Sequence, residues 1–204
     1  MPAANTVFWD NGGVILTNGW DRGGRRAAVE KFKLDWEDFS DRHELMLNAF
    51  EIGQISLDEY LQRVVFYRKQ PFTKDDFRNF MFELSQPFPE PLEYLGKLVA
   101  TGRYLMMSLN NESREINEHR IETFDMRKYF KAFLCSCYLG IRKPEPKIYR
   151  MALQIAGRRA DECVFVDDRG LNLEAARELG MHTVQFRNAE QLRDDLARFG
   201  VKAD

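Results

Sequence analysis

The chain has 204 residues, of which 44% are hydrophobic and 30% are charged. Because 30 Lys and Arg are balanced by 32 Asp and Glu, the net charge of −2 gives no reason to expect binding to nucleic acid or to an anionic membrane surface. No apolar run approaches the roughly 20 residues that span a bilayer, and residues 1–6 lack the basic and apolar regions of a signal peptide. We therefore expect a cytoplasmic protein of one domain, or of one domain with a modest insertion.

The first predicted element is a strand at residues 7–9, and the segment after it has a different character. Residues 17–87 contain no strand-like run and have the periodicity of amphipathic helices. Capping-box spacing at Ser56 and Thr73 marks the start of two of them. The segment is dense in aromatic side chains, which predict a small helical core in which one or two rings could line a substrate entrance. The predicted helices are residues 22–32, 36–50, 57–67 and 74–84.

From residue 88 onward, short apolar runs alternate with helical periodicity. Strands are predicted at residues 104–108, 133–137, 164–166 and 183–186. Helices are predicted at residues 91–100, 146–156 and 171–179. A C-terminal helix with Leu192, Leu196 and Phe199 on one stripe is expected to dock on the core. Alternation of this kind predicts an α/β fold, a parallel sheet covered by helices on both faces, with a helical module inserted after the first strand.

The 3 cysteines of the chain are all in apolar runs. Cys135 and Cys137 are two residues apart and are predicted on one face of the strand at residues 133–137. Cys163 begins another run. Since no further Cys or His stands at ligand spacing, we predict reduced, buried strand cysteines and no metal role for them.

Asp10 and Ser108 each stand where a predicted strand ends, which is where ligands bind in open α/β sheets. Gly12 and Gly13 follow Asp10 closely, and glycines allow a tight turn that brings backbone amides near an anion. The same residues could form a plain turn. Ser108 offers a hydroxyl donor, but it could instead cap a helix that starts near Glu112.

Lys143 and the pair Asp167 and Asp168 are further polar residues beyond predicted strands. Pro144 and Pro146 fix the backbone just after Lys143, so its ammonium group could act as a positioned point charge. Asp167 and Asp168 follow a predicted buried strand, where adjacent carboxylates repel each other unless a cation is close. Hard oxygen ligands of this kind suit Mg²⁺.

In chain order, Asp10, Ser108, Lys143 and Asp168 resemble the four motifs of the haloacid dehalogenase (HAD) superfamily. The resemblance covers essentially the whole chain. The longest similar strings are GIRKPEPKIY (residues 140–149) in the third motif, VFVDDRGLNLEAARELGM (residues 164–181) in the fourth, and AFEIGQISLDEY (residues 49–60) in the family's all-helical cap.

This resemblance implies a two-part organisation of the chain. Residues 1–16 and 88–204 would form a Rossmann-like parallel-sheet core, and residues 17–87 would form the inserted α-helical cap. In this architecture the cap sets substrate specificity.

The resemblance also implies a Mg²⁺-dependent hydrolase, most simply a phosphatase whose partner is a small phosphorylated metabolite such as a sugar phosphate. Asp10 would attack phosphorus and form an aspartyl-phosphate, which water would then hydrolyse. Mg²⁺ would be held by the carboxylates of Asp10 and Asp168 and by the backbone carbonyl of Gly12. Asp167 and Asn172 would support the metal as an outer shell.

Ser108 and Lys143 complete the implied catalytic group. Ser108 would donate a hydrogen bond to a phosphoryl oxygen, and Lys143 would neutralise charge between Asp10 and the phosphoryl group. The implied substrate-binding residues are Asn11, Gly12, Ser108, Leu109, Asn110 and Lys143.

Two positions depart from the family pattern. Gly12 stands where phosphatases usually have a second Asp, which protonates the leaving group; such help is typically worth ~10²–10⁴ in rate. We therefore predict a preference for leaving groups that need no proton, as in sugar 1-phosphates, acyl phosphates or aryl phosphates. Leu109 replaces a frequent Asn, for which Asn110 and Asn111 could compensate. The cap residues that could replace the missing acid are His43, Glu44 and Glu51.

Two alternative functions stay open. A carbon–halogen hydrolase of the same superfamily would need no metal, but such relatives tend to have Tyr at the position of Gly12 and small polar residues at those of Asp167 and Asp168. A non-catalytic member would bind a phosphorylated ligand without turnover, and only Gly12 speaks for it. The sequence predicts neither one substrate nor an oligomeric state. The cap residues that could either face a cleft or form a solvated helix start are Trp20, Asp21, Arg22 and Arg25.

Overall fold

The computed structural model describes residues 4–203. Residues 1–3 and 204 belong to the predicted core segments, and residues 1–3 also to the segment without signal-peptide character. They lie outside the described residues. The strands are β1 (Thr6–Trp9), β2 (Leu105–Asn110), β3 (Ala132–Cys135), β4 (Cys163–Asp167) and β5 (His182–Gln185). They form one parallel sheet in the order β3-β2-β1-β4-β5, so β1 lies at its centre.

The helices fall into two groups along the chain. Those of the cap are α1 (Arg22–Phe32), α2 (Trp36–Glu51), α3 (Leu57–Val64) and α4 (Lys74–Glu83). Those of the core are α5 (Pro89–Ala100), α6 (Arg114–Thr123), α7 (Ser136–Leu139), α8 (Pro146–Ala156), α9 (Gly170–Glu178) and α10 (Ala189–Arg198). Short 3₁₀ turns occur at Met126–Lys128 and Ala160–Glu162. Between residues 4 and 203, no helix is long and apolar enough to cross a membrane.

The sheet has a separate apolar cluster on each face. Val7 and Trp9 of β1 belong to the cluster with α5 and α10, whereas Phe8 belongs to the cluster with α8 and α9. Successive side chains of a strand point to opposite faces, so a central strand that is covered on both sides must be apolar throughout. The predicted α/β fold, with helices on both faces of a parallel sheet, is confirmed.

The cap has an apolar cluster of its own, built largely from aromatic rings. Phe50 stacks on Tyr60 with ring centroids 4.2 Å apart. The predicted capping boxes form at Ser56 and Thr73, where each side chain and the acid three residues later satisfy each other's backbone amides. Residues 17–87 therefore pack as four short helices around large side chains, as the aromatic content predicts.

The two linkers between cap and core run side by side. Leu16 and Pro87 form an isolated antiparallel bridge between them. Arg120 of α6 contacts both linkers, because its Nε donates to Ser85 Oγ (3.0 Å) and its Nη2 donates to the carbonyl of Asn18 (3.0 Å). One core side chain thus connects the chain entering the cap to the chain leaving it, while the domain boundaries themselves stay a prediction.

Some predicted ends of elements are wrong around β2. The strand continues past Ser108 to Asn110, because its last residues pair with β3 up to Cys135. Ser108 is therefore inside a strand and does not cap a helix. The next helix, α6, begins at Arg114 after Ser113, and not near residue 112. Because Asn110 is polar, the sequence pattern does not show that the buried strand continues to this residue.

The strand prediction for residues 133–137 is also wrong in part. β3 ends at Cys135, and Cys137 belongs to the single helical turn α7, which ends at Gly140 in the left-handed region (φ 68°). Helix α3 ends at Val64, before the predicted end at residue 67. All three cysteines are buried and free, as predicted.

Candidate active site

The carboxyl ends of β1 and β4 bring three carboxylates together. Asp10 directly follows β1, Asp167 is the last residue of β4, and Asp168 comes next. The Asp10 backbone N–H donates to Val166 O (2.8 Å), which fixes the first acid against the neighbouring strand. One oxygen from each carboxylate lies within 4.8 Å of the other two. The predicted nucleophile and the predicted metal residues therefore share one corner of the sheet edge.

Lys143 reaches the same corner from the turn before α8. Its Nζ lies 2.6 Å from Asp167 Oδ2 and 3.1 Å from Asp10 Oδ2, and its side chain is 1% exposed. Asn111 holds the lysine backbone: Lys143 N donates to Asn111 Oδ1 (2.8 Å), and Asn111 Nδ2 donates to Lys143 O (2.9 Å). The point charge that the sequence predicts is thus fixed from both its backbone and its ammonium group.

The negative charge in this corner exceeds the positive charge. Burial raises the pKa of Asp10 to about 8, although Lys143 opposes the shift, and the carboxylates of Asp167 and Asp168 add to it. Burial also raises the pKa of Asp168, helped by the charge of Asp167. Burial alone would lower the pKa of Lys143, but Asp10 and Asp167 raise it. Three carboxylates share one ammonium group, so a bound cation would relieve their repulsion.

The donor atoms distinguish the two acids at the end of β4. Both Asp167 oxygens already accept hydrogen bonds, Oδ1 from the backbone N–H of Arg169 (2.8 Å) and Oδ2 from Lys143 and from Asn172 Nδ2 (3.0 Å). Asp168 Oδ1 is buried and, within residues 4–203, has no hydrogen-bond partner. An unpartnered carboxylate oxygen beside Asp10 is a donor that suits Mg²⁺. The residues present therefore fit this ion, with Asp167 and Asn172 engaged around it.

Gly13 lets the loop after β1 approach this carboxylate. Its φ is +75°, and a Cβ atom at this position would lie 2.4 Å from Asp168 Oδ2. A side chain here would be strained by the backbone conformation and would also displace the acid. The glycine pair after Asp10 is thus more than a plain turn, because it lets the loop approach the Asp168 carboxylate closely.

The structure separates the predicted phosphate-binding side chains into two groups. Ser108 Oγ is fully buried and has no partner in the described part of the chain, and Ser108 is in register with Trp9, next to Asp10. Leu109 instead packs in the cluster with α8 and α9, and Asn110 Nδ2 donates to Asn117 Oδ1 (3.1 Å). None of the side chains of Ser108, Leu109 and Asn110 lines the cavity between the sheet edge and the cap, so the substrate role of all three stays a prediction. For Leu109 and Asn110, backbone groups would have to fulfil it.

A cavity of about 260 Å³ lies between the sheet edge and the cap. From the core, Asp10, Gly12 and Lys143 line it. From the cap, it is lined by Trp20, Asp21, Arg22, Arg25, Leu47, Phe50 and Glu51. All four residues of the predicted cap helix start that could face a cleft do face it. Phe50 is the ring of the predicted aromatic core that lines the entrance.

Gly12 lies beside a buried ion pair that the sequence gives no reason to single out. A Cβ atom on Gly12 would lie 3.1 Å from Asn18 Oδ1 and 3.7 Å from Arg120 Nη1. Arg120 Nη1 in turn pairs with Glu112 Oε2 at 3.0 Å, and both side chains are buried. Burial raises the pKa of Glu112 to about 7, against the opposing charge of Arg120. Sequence reasoning missed this pair because α6 looks like an ordinary charged helix.

Of the three cap candidates for the missing acid, only Glu51 lines the cavity. Its carboxylate lies 3.0 Å from the guanidinium of Arg142, and burial raises its pKa. His43 is buried behind the cavity wall with Nδ1 2.8 Å from Tyr60 Oη. Glu44 is exposed on the outside of α2.

Comparison with known proteins agrees with this geometry. A family model described as haloacid dehalogenase-like hydrolase matches residues 4–180. The chain is 27% identical to flavin mononucleotide hydrolase 1 of Arabidopsis thaliana, over 78% of this chain and 64% of that protein. It is 30% identical to (S)-2-haloacid dehalogenase 4A of Burkholderia cepacia, over 78% of this chain and 71% of that one. It is 27% identical to glyceraldehyde 3-phosphate phosphatase of Methanocaldococcus jannaschii, over 54% and 48%. The chain therefore spans less than two thirds of the Arabidopsis relative, and 10% to 13% of some longer relatives.

Solved structures share the fold. A HAD family enzyme of Bacteroides thetaiotaomicron superposes with a TM-score of 0.78 at 21% identity, covering 92% of this chain and 95% of that one. The same enzyme in complex with magnesium and inorganic phosphate has a TM-score of 0.73 at 21% identity, over 90% and 94%. Because the family model spans most of the chain and these relatives have the same architecture, this protein is a haloacid dehalogenase-like hydrolase.

Proposed function

We propose that this hydrolase is a Mg²⁺-dependent phosphatase that acts on a small phosphorylated metabolite through an aspartyl-phosphate on Asp10. The observation that carries the proposal is the corner of Asp10, Asp167 and Asp168, in which three carboxylates lie within 4.8 Å of one another and the ammonium group of Lys143 contacts two of them, Asp10 and Asp167. A nucleophile that attacks carbon has no use for such a surplus of carboxylates, whereas phosphoryl transfer needs a cation beside the nucleophile.

The metal ligands in this proposal are the carboxylates of Asp10 and Asp168 and the carbonyl of Gly12, with Asp167 and Asn172 around them. When bound, Mg²⁺ supplies positive charge between the nucleophile and the phosphoryl group. Its support here is the unpartnered Oδ1 of Asp168. The B. thetaiotaomicron enzyme with bound magnesium and phosphate, similar in fold, agrees with this choice of ion.

The protein's own residues perform the transfer in two displacements. An oxygen of Asp10 bonds to phosphorus while the bond from phosphorus to the leaving-group oxygen breaks, and that oxygen keeps the electron pair. Water then bonds to phosphorus, the bond to Asp10 breaks and returns its electron pair to the carboxylate, and the product departs as dihydrogen phosphate, which keeps both protons of the water. Lys143, 3.1 Å from Asp10, lowers the repulsion between the carboxylate and the phosphoryl group. The unpaired hydroxyl of Ser108 donates to a phosphoryl oxygen.

The leaving group in this proposal is one that departs without a proton. Gly12 has no acid to give, and Arg120 and Asn18 occupy the space beside it. Sugar 1-phosphates, acyl phosphates and aryl phosphates meet this condition best, since their leaving anions are weaker bases than the alkoxide of an ordinary alcohol. The cavity of about 260 Å³, just below the roughly 300–1,000 Å³ of ligand pockets, favours a small metabolite. We place the activity in the cytoplasm, with no nucleic acid or membrane as partner.

Phosphate release tests the proposal directly. p-Nitrophenyl phosphate, glucose 1-phosphate and glucose 6-phosphate are offered with Mg²⁺ and with a chelator, to the native protein and to Asp10→Asn. We expect metal-dependent release that disappears in Asp10→Asn, with glucose 1-phosphate turned over at least ~10² faster than glucose 6-phosphate. Equal rates on the two sugar phosphates would contradict the leaving-group argument. Tight Mg²⁺-dependent binding without release would favour a non-catalytic ligand-binding protein.

The competing function is carbon–halogen hydrolysis, which the 30% identity to the B. cepacia dehalogenase favours. In that chemistry Asp10 attacks carbon, and chloride leaves without a metal. The test is chloride release from (S)-2-chloropropionate in the presence of a chelator. Metal-independent release would replace the phosphatase proposal.

A further inference from the structure

Cationic side chains outnumber carboxylates around the cavity. The cations are Arg22, Arg25, Arg120, Arg142, Lys143 and Arg169. The acids are Asp10, Asp21, Glu51 and Glu112. One phosphoryl group and its metal engage the Lys143 end, so they do not account for the guanidinium groups on the cap side.

Three of these cations are already neutralised by the protein. Lys143 pairs with Asp10, Arg120 pairs with Glu112, and Arg142 pairs with Glu51. Arg22 and Arg169 are exposed, where water and salt weaken any contact they make.

Arg25 on α1 is different, because it is partly buried and forms no ion pair among residues 4–203. Its Nη1 donates to the carbonyl of Trp20 (2.8 Å). In this part of the chain its guanidinium makes no other hydrogen bond, and the carboxylates of Asp21 and Glu51 act on it only from a longer distance. An anionic ligand in direct contact with this partly buried guanidinium therefore gains more than at the exposed arginines.

The lining of the cavity also includes two apolar side chains from the cap. Leu47 and Phe50 line it from α2, on the cap side. A carbon skeleton can cover these side chains while one end reaches Asp10 and the other reaches Arg25. The cavity therefore suits a molecule with two charged ends and an uncharged middle.

We propose that Arg25 binds a second anionic group of the substrate, a carboxylate or a second phosphate, from the cap wall of the cavity. The substrate class is then a small phosphomonoester that has a further anionic group beyond the one transferred. This inference rests on the proposed phosphatase function for the identity of the first group. It assigns to Arg25 the recognition of the group that stays on the product.

Three compounds with the same leaving oxygen test this subsite. Glucose 1-phosphate has no second anion, glucuronic acid 1-phosphate has a carboxylate at C6, and glucose 1,6-bisphosphate has a phosphate there. For the native protein we expect kcat/KM at least about 10-fold higher for one or both charged compounds. The larger of the two effects identifies the anion. In Arg25→Gln the preference is expected to fall by roughly 10- to 100-fold, while glucose 1-phosphate changes less than about 2-fold.

Two further variants separate recognition from folding. Arg25→Lys keeps a positive charge and should retain part of the preference. Arg26→Gln is the matched control: Arg26 is the next residue of α1, is exposed, does not line the cavity and stacks over Trp36. It should behave as the native protein on all three compounds. Equal loss of preference in Arg25→Gln and Arg26→Gln would overturn the subsite.

Calorimetry without turnover keeps this test independent of the phosphatase proposal. Each compound is titrated, in the presence of a chelator, into the native protein and into Arg25→Gln. Weaker binding of the charged compounds by about 10-fold in the variant supports the subsite even if none of them is hydrolysed. If glucose 1-phosphate is hydrolysed with Mg²⁺ but neither assay distinguishes the charged compounds, the subsite is wrong and the phosphatase stands.

Discussion

The two walls of the cavity are built in different ways. On the core wall, the lysine of the site has several protein partners: Lys143 contacts two carboxylates and is held by Asn111 at its backbone. On the cap wall, Arg25 has one hydrogen bond, to Trp20. A cation held by several partners is fixed before substrate arrives, whereas a cation with free donors can bind what arrives. From this difference we expect the core side to prearrange the chemistry and the cap side to contribute selectivity.

The largest expected effect comes from removing the central cation of the core wall. Lys143→Ala leaves Asp10 and Asp167 buried beside each other without their shared counter-charge. We expect phosphatase activity to fall by about 10³-fold or more, with a lower melting temperature, because an uncompensated buried charge typically costs ~3–5 kcal/mol. Phosphate release and thermal unfolding measure the two losses. Lys147→Ala, on an exposed position of α8, is the control and should match the native protein.

A smaller effect is expected from closing the approach of the loop to Asp168. Gly13→Ala adds a Cβ atom that would lie 2.4 Å from Asp168 Oδ2, at φ +75°. The Mg²⁺ concentration for half-maximal activity should rise by roughly 10- to 100-fold, as for other changes around metal ligands. Gly102→Ala is a matched control, since Gly102 has φ +66° but no atom within 4 Å of an added Cβ. It should lose about 1 kcal/mol of stability and leave the Mg²⁺ dependence unchanged; equal Mg²⁺ curves for both variants would contradict the prediction.

The buried acid Glu112, on the core wall of the cavity, is expected to make the stability of the protein depend on pH. Its pKa is about 7 in the folded protein against an ordinary value of 4.5, mainly through burial. The folded state therefore holds this proton more tightly than the unfolded state, and the free energy of unfolding decreases as pH rises from about 4.5 to 7. Between pH 5 and pH 8 we expect a decrease on the order of 2 kcal/mol from this group. Urea unfolding of Glu112→Gln should lack this component, and Glu118→Gln, at an exposed position of the following helix α6, should keep it.

His43 in the cap should give the smallest effect, with the opposite sign. Burial, followed by the charge of Arg25, lowers its pKa from 6.5 to about 4. The folded state thus favours the neutral imidazole, so stability is complete above pH 6.5 and is lost as pH falls toward 4. We expect the free energy of unfolding to drop by about 1–2 kcal/mol between pH 7 and pH 5. In His43→Phe this slope should flatten; an unchanged slope would show that His43 is protonated without cost.

How far sequence alone reaches can be seen from individual residues. Asp10 and Asp168 could be placed correctly because both follow short, wholly apolar runs, and the ends of parallel strands meet at one edge. The sequence predicts Ser108 at a strand end, yet β2 continues to Asn110. The polar Asn110 resembles a loop residue, but its Nδ2 donates to Asn117 Oδ1 in the core. Local pattern carries no information about such long-range partners.

Sequence alone predicts even less about the cap wall of the cavity. Helix α1 was predicted with the observed ends, yet its pattern did not tell whether Arg25 faces solvent or a cavity. The orientation of Arg25 depends on how the four cap helices pack against each other and against the sheet edge. Contacts among the aromatic side chains of the cap determine this packing. The pair of Arg120 and Glu112 was missed for a similar reason, because one member follows a strand and the other lies within α6. The burial of Arg120 follows from its contacts with the two linkers between cap and core.

Arg120 also links the shape of the molecule to its chemistry. Its guanidinium bonds Ser85 on one linker and Asn18 on the other, while Nη1 pairs with Glu112 beside Gly12. The linkers cannot separate without breaking hydrogen bonds to the same cation that pairs with Glu112 beside Gly12. A ligand that binds better when the linkers are held together would therefore also stabilise the surroundings of this ion pair.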